Sequence, residues 1–337
     1  MGLLLVPPTN AHGQWDIQDS HTNASLRGIH SVGNGVAWAS GTDGTVLRTT
    51  DGGIRWQTCT VSPGAEKLDF RGIQAFDRNT AIVMSSGTGD LSRLYKTTNG
   101  CRTWKLVLTN PDPDGFWDAV RFTPREKSGL LYGDPVKGKF TAFATHDSGE
   151  TWTRSSDLPA AREGESLFAA SNSSLLYQSG ITLIVTGGPS GSRSIGRAGS
   201  DLPLAVSASA GAFSVAAASA VRLVVVGGDY KNPDLPKGTA AFTTDGGQHW
   251  IAATTPPHGY RSSVAYDSLH KTDRGRPQRH GHLHRRRPHL APTEALFQRR
   301  ARRRPGLECP LSALCRRPQR PYRQTQCQCA AVNQYRW

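Results

Sequence analysis

The octet Thr49-Thr50-Asp51-Gly52-Gly53-Ile54-Arg55-Trp56 returns as Thr97 to Trp104, Thr145 to Trp152 and Thr243 to Trp250, at separations of 48, 48 and 98 residues. The last interval is two periods, which places a decayed copy near Ser194 to Asp201. A unit of this length does not bury its own faces. Its neighbours must do so, and the chain is therefore a repeat architecture.

Within the first unit the pattern is one of short strands: Leu26 to Val32, Val36 to Ser40, Thr45 to Thr49 and Trp56 to Val61, each β-branched or aromatic and bounded by Gly, Asn or Asp. Four strands in roughly 45 residues are the mark of a propeller blade. The octet then falls in the hairpin between the third and fourth strands. Asp51, Asn99, Asp147 and Asp245 are expected to accept hydrogen bonds from the turn backbone, the glycines to supply positive φ, and Trp56, Trp104, Trp152 and Trp250 to pack between neighbouring sheets. The fold class is all-β, with four-stranded antiparallel blades.

A second ladder marks the start of each innermost strand. It runs through Arg27, Arg71, Asp118, Glu165, Ser214 and Arg261, in steps of 44, 47, 47, 49 and 47 residues. Six blades are visible in it. Trp15-Asp16-Ile17-Gln18 reads as a fourth strand with no blade before it. Such a strand closes a ring by completing the last blade, and the natural count becomes seven. Charged residues at the ladder positions of a ring face its channel mouth. Arg27, Arg71, Asp118, Glu165 and Arg261 are therefore the candidate contacts for a partner or ligand, set against the plainer reading of a ring of ion pairs.

Composition narrows the function. The 337 residues are 36% hydrophobic, enough for a core, and no apolar run approaches the length of a membrane span. The formal charge of +14 is concentrated in residues 273–337, where sixteen arginines face Asp273, Glu294 and Glu308, a balance of +13. The remainder is nearly neutral, which speaks against a nucleic-acid-binding body. The propeller pattern occupies residues 14–272 and stops abruptly at Thr272. Reading the tail codons from their second base permits Asp273 to Leu290 to encode two strands and a complete octet, and lets the ladder resume at Glu308, 47 residues after Arg261. Residues 273–337 are thus expected to be an out-of-frame, disordered tail. Cys309, Cys315, Cys327, Cys329 and the His280 to His284 run are then artefacts of the frame, and their spacing is poor for zinc in any case. Gly187-Gly188-Pro189-Ser190-Gly191 lacks the Lys-Ser/Thr pair and following helix of a phosphate loop. No metal, nucleotide or cofactor signature stands. Cys59 and Cys101, in adjacent blades, read either as a disulfide or as two small buried thiols. Residues 1–13 read as the remnant of a signal peptide, which favours a periplasmic or secreted protein.

The octets resemble the Asp-box, S/T-x-D-x-G-x-T-W, of sialidase-like and related propellers, and Thr145 to Trp152 matches every fixed position. More of the chain resembles the photosystem II stability and assembly factor family of seven-bladed propellers. The residues carrying this are Ser25 to Ile29, Val36 to Gly41, Gly44 to Gly53 and Leu68 to Ile73; the similarity covers residues 14–272 and weakens over 176–210. The resemblance implies a non-catalytic scaffold that binds a protein partner through an arginine-lined surface, here Arg27 and Arg71, with Arg261 more weakly. The alternative is a sialidase-like glycoside hydrolase or glycan-binding propeller. Such an enzyme needs an arginine cluster, a Tyr with a Glu partner and an acid, which Arg27, Arg71, Arg261, Tyr260, Glu165 and Asp118 are able to supply. The Arg-Ile-Pro segment of sialidases is absent from residues 1–272. Resequencing the DNA across codons 268 to 276 is expected to reveal an inserted or missing base that restores the octet frame; an intact frame would make the basic tail genuine.

Overall fold

A computed structural model of the chain describes residues 18–61, 64–123, 127–178, 180–196 and 199–266. Residues 1–13, expected as a signal-peptide remnant, most of the expected closing strand Trp15 to Gln18 and the tail 273–337 lie outside the described residues.

Five four-stranded antiparallel sheets follow one another along the chain, each a simple meander. The first blade is β1 (Leu26–Gly33), β2 (Val36–Gly41), β3 (Thr45–Thr49) and β4 (Gln57–Thr60). The second is β5 (Phe70–Ala75), β6 (Ala81–Ser85), β7 (Arg93–Thr97) and β8 (Lys105–Thr109). The third is β9 (Trp117–Phe122), β10 (Gly129–Val136), β11 (Lys139–Thr145) and β12 (Thr153–Arg154). The fourth is β13 (Leu175–Gln178), β14 (Ile181–Val185), β15 (Ser192–Ile195) and β16 (Ser200–Leu202), and the fifth β17 (Ala210–Ala217), β18 (Leu223–Asp229), β19 (Ala240–Thr243) and β20 (Ile251–Ala252). The first strands touch in succession, β1 with β5, β5 with β9, β9 with β13 and β13 with β17, and so form the inner ring of a propeller. After the fifth blade, Val264 packs on Val226 and Ala240 and its N–H donates to the Ser214 hydroxyl at 2.9 Å, where a sixth inner strand would begin.

Each apolar cluster lies between two blades. Trp38 and Val46 of the first blade pack with Phe70, Ile73 and Tyr95 of the second. Ile82, Met84 and Leu94 of the second meet Trp117, Val120 and Phe143 of the third. Leu176, Leu183 and Val185 of the fourth meet Val215, Leu223 and Val225 of the fifth. Burial at these seams, at roughly 25 cal/mol per Å² of apolar surface, is what holds one sheet to the next.

The octets form tight, self-bonded turns. In the third blade the Asp147 carboxylate accepts from the N–H groups of Glu150 and Thr151, both at 3.0 Å, and from the Thr145 hydroxyl at 2.7 Å. Thr145 in turn accepts from Gly149 N–H at 3.0 Å. Asp51, Asn99 and Asp245 repeat this pattern. Asn99 serves because a neutral amide oxygen accepts the same bonds. Trp104 stands edge-on to Trp38 of the blade before it, and Trp250 donates to Ser194 of the blade before it. Trp152 likewise joins the seam that holds Ile82 and Met84. The Trp56 indole N–H is buried with no partner among the described residues. Cys59 on β4 is bonded to Cys101 in the second octet, a disulfide that staples the first blade to the second.

The fourth blade departs from the sequence expectation. Glu165 to Phe168 do not start its inner strand; they make one isolated bridge, Ser166 to Gly187, and β13 begins at Leu175. Residues 169–174 instead turn into the ring. The inner edges of β5 and β9 would otherwise present unpaired backbone groups there, and Asn172 supplies the missing partners. Its side chain accepts from Val120 N–H at 2.7 Å and donates to Val120 O at 2.9 Å and Ile73 O at 3.4 Å. Asn172 has φ 61°, a conformation that asparagine tolerates better than most residues. Ser171 donates to Ser262 O at 2.7 Å, so this plug reaches past the fifth blade. Asn172→Gly keeps the left-handed backbone and deletes only the amide. It is expected to cost about 2 kcal/mol or more in urea denaturation, because the Val120 groups stay buried without partners.

Candidate functional site

Four inner strands carry a β-bulge at the same place. Pairing steps from Leu26↔Gly41 to Gly28↔Ser40, leaving Arg27 as the extra residue, and from Phe70↔Ser85 to Gly72↔Met84, leaving Arg71. Asp118 is the extra residue between Trp117↔Gly133 and Ala119↔Tyr132, and Phe213 between Ala212↔Gly227 and Ser214↔Val226. A bulge bends the strand and re-aims one side chain, which is why it recurs where a fold presents a site. Ser214 was the expected ladder residue of the fifth blade, and Phe213 takes its place. Ser214 is buried and bonded to Ser173 at 2.6 Å. The sequence signal was shifted by one residue because the bulge, not the strand start, sets the phase.

At this mouth Arg27 and Arg71 converge on one carboxylate. Asp69 lies 3.5 Å from Arg27 Nε and 2.8 Å from Arg71 Nε, with Arg27 18% and Arg71 31% exposed. Arg71 also donates to Ala169 O at 3.3 Å, at the root of the plug. Tyr260, from beyond the fifth blade, lies near both arginines: burial pushes its phenol pKa up, and Arg27 and Arg71 pull it part of the way back. Arg261 donates to the Tyr260 carbonyl at 2.8 Å. Beside this basic half stands an aromatic half. Phe168 stacks on Phe213 with centroids 3.9 Å apart, and Tyr260 stands edge-on to Phe213 at 4.7 Å. The close approach is possible because Gly187 carries no side chain; a Cβ there would lie 2.6 Å from the Phe168 ring. Asp69, Phe168 and Phe213 were not singled out in the sequence. The Leu26-Arg27-Gly28 and Phe70-Arg71-Gly72 frames, aligned on their bulges, would have found Phe213.

The two acidic ladder positions lie deeper. Glu165 is fully enclosed, and burial alone would raise its carboxyl pKa. Arg193 Nε and Nη2, each at 2.7 Å, with Arg162 N–H at 2.8 Å and Thr186 at 2.6 Å, hold it instead below the usual range. All its capacity is used within the fourth blade. Asp118 is 1% exposed, and its Oδ2 has no hydrogen-bond partner among the described residues. Burial, and next the Asp134 carboxylate, push its pKa well above the usual range against a pull from Arg71. Burial pushes Asp134 up to about 6, although Leu167 N–H donates to it at 2.9 Å. A carboxyl raised in the folded state stabilises the fold at low pH, and that contribution is lost as pH climbs from the unfolded value near ~4 through about 6. Asp134→Asn keeps the acceptor for Leu167. It is expected to add on the order of 1–3 kcal/mol at pH 8 and nothing at pH 4 in paired urea titrations.

No protein-family model matches the chain. A curated relative, the photosystem II assembly lipoprotein Ycf48 of Picosynechococcus sp., is 24% identical over 190 residues, which are 43% of this chain and 53% of the relative. The chain thus spans about half the length of the curated relative it matches. Among solved structures, YCF48 bound to D1 peptide is 16% identical with a TM-score of 0.39, covering 73% of this chain and 89% of that one. An ancestral GH74 enzyme is 14% identical with a TM-score of 0.48, covering 74% of this chain and 34% of that one. The chain is a β-propeller similar to the photosystem II assembly-factor-like propellers.

Proposed function

We propose that the chain is a non-catalytic scaffold that binds a protein partner through the mouth of its ring, with Arg27, Arg71 and Arg261 receiving a carboxylate-bearing peptide segment. The observation that carries this is the shared bulge, which turns Arg27 and Arg71 toward one end of the ring around a single Asp69. An arginine fork suits a carboxylate oxygen pair. Phe168, half-buried and stacked on the buried Phe213, supplies apolar contact of the kind found at binding hot spots. The curated relative is a photosystem II assembly lipoprotein, and a solved YCF48 structure holds a D1 peptide, which supports a peptide ligand here. The Cys59 to Cys101 bond fits an oxidising compartment and hence export.

The hydrolase reading ranks second. A tyrosine nucleophile needs a carboxylate to take its proton, whereas the groups that pull on Tyr260 are Arg27 and Arg71, and Glu165 is spent on Arg193. What favours it is the buried Asp118 and Asp134 pair, two carboxyls of raised pKa at the same mouth.

Anisotropy titration of the full chain with a labelled D1 peptide separates the two. Saturable binding that weakens about tenfold or more in Arg71→Gln, and falls with added salt, supports the scaffold. Binding indifferent to Arg71→Gln, or sugar release from a glycan substrate, overturns it.

A further inference from the structure

Three residues beyond the bulge, the first three inner strands carry His30, Gln74 and Arg121 at equivalent positions, paired with Trp38, Ile82 and Leu130 of their second strands. These side chains come from three different blades and still meet. Gln74 Nε2 lies 3.1 Å from His30 Nε2, and the His30 ring of the first blade is within electrostatic reach of Arg121 in the third. The convergence lies directly beneath the plug, since Asn172 bonds Ile73 and Val120, the residues just before Gln74 and Arg121. The plug thus stands between the mouth described above and this second, polar cluster.

His30 and Arg121 in this cluster offer donors that no acceptor meets among the described residues. Gln74 is 6% exposed, and its Nε2 also donates to Ala75 O at 3.3 Å, which fixes the orientation of the amide. Its nitrogen therefore faces His30 as a donor, and His30 Nε2 accepts. Burial, and next the charge of Arg121, lower the His30 pKa to about 4, so the ring is neutral at ordinary pH and carries its one proton on Nδ1. That Nδ1 is buried with no partner among the described residues. Arg121 is partly buried, burial lowers its pKa to about 10, and no carboxylate among the described residues lies within ion-pair distance of it. A half-buried guanidinium with no ion-pair partner among the described residues, beside a buried neutral N–H donor that lacks an acceptor, leaves room for an acceptor from outside the chain.

We propose that this cluster is a binding site for a small oxyanion, gripped by the Arg121 guanidinium and the His30 Nδ1–H. The site is separate from the peptide mouth and does not depend on it. The planar fork of arginine takes two oxygens of a phosphate or carboxylate, and the imidazole takes a third or shares one.

The test is isothermal titration of the full chain with inorganic phosphate. The expected result is one saturable site in the wild type, weakened about tenfold or more in Arg121→Gln and unchanged in Arg102→Gln, which removes an exposed charge elsewhere. Absence of saturable binding in the wild type, or equal binding in Arg121→Gln, overturns the proposal. Should Arg121→Gln fail to fold, His30→Leu takes its place: weakened binding supports the site, and undiminished binding sinks it.

Discussion

The apolar faces of these sheets leave water only against one another, and every other feature of the molecule follows from that. Trp38 is shielded by the second blade, Met84 by the third and Leu183 by the fifth. The octet turns serve the same seams. Their carboxylates lock the hairpin from inside, and their tryptophans are then held at a fixed angle over the preceding sheet. Locking a turn with its own side chain lets the outer rim hold its shape from within the hairpin.

At the ring's centre the backbone does the aiming. A bulge adds one residue to one strand only, and the extra residue is the one that leaves the plane of the sheet. The same device sets Arg27, Arg71, Asp118 and Phe213, three different chemistries, at equivalent places in four inner strands. Repetition thus supplies the positions while the residue types vary, which is how one scaffold carries both a basic and an aromatic half.

The blades were legible in the sequence because strand alternation and octet spacing are local signals. Leu26 to Val32 was read and Leu26–Gly33 is found; Thr45 to Thr49 was read and found unchanged. Arg27, Arg71 and Asp118 fall on the bulges of their inner strands because their steps follow the period. Glu165 also follows it and is nonetheless consumed by Arg193, a partner 28 residues away that periodicity does not reveal. Asn172 and Ser171 were missed for the same reason: nothing local marks a residue whose partners lie 52, 91 and 99 positions distant. Spacing alone leaves Cys59 and Cys101 open between a disulfide and two thiols, since it gives blade adjacency and not the distance between two sulfurs. The His30, Gln74 and Arg121 set was hidden in plain view, at equal steps from the ladder, because three unlike residue types do not read as a motif.

The plug has a consequence for how the molecule comes apart. A stack of repeats held only by nearest-neighbour seams frays from its ends, one unit at a time. Here residues 171 and 172 tie the second, third and fourth blades to one another and to Ser262. Those bonds skip over intermediate repeats, so losing one blade strips partners from several others at once. The ring is thereby converted from a row of loosely coupled units into a body whose unfolding is shared among its blades.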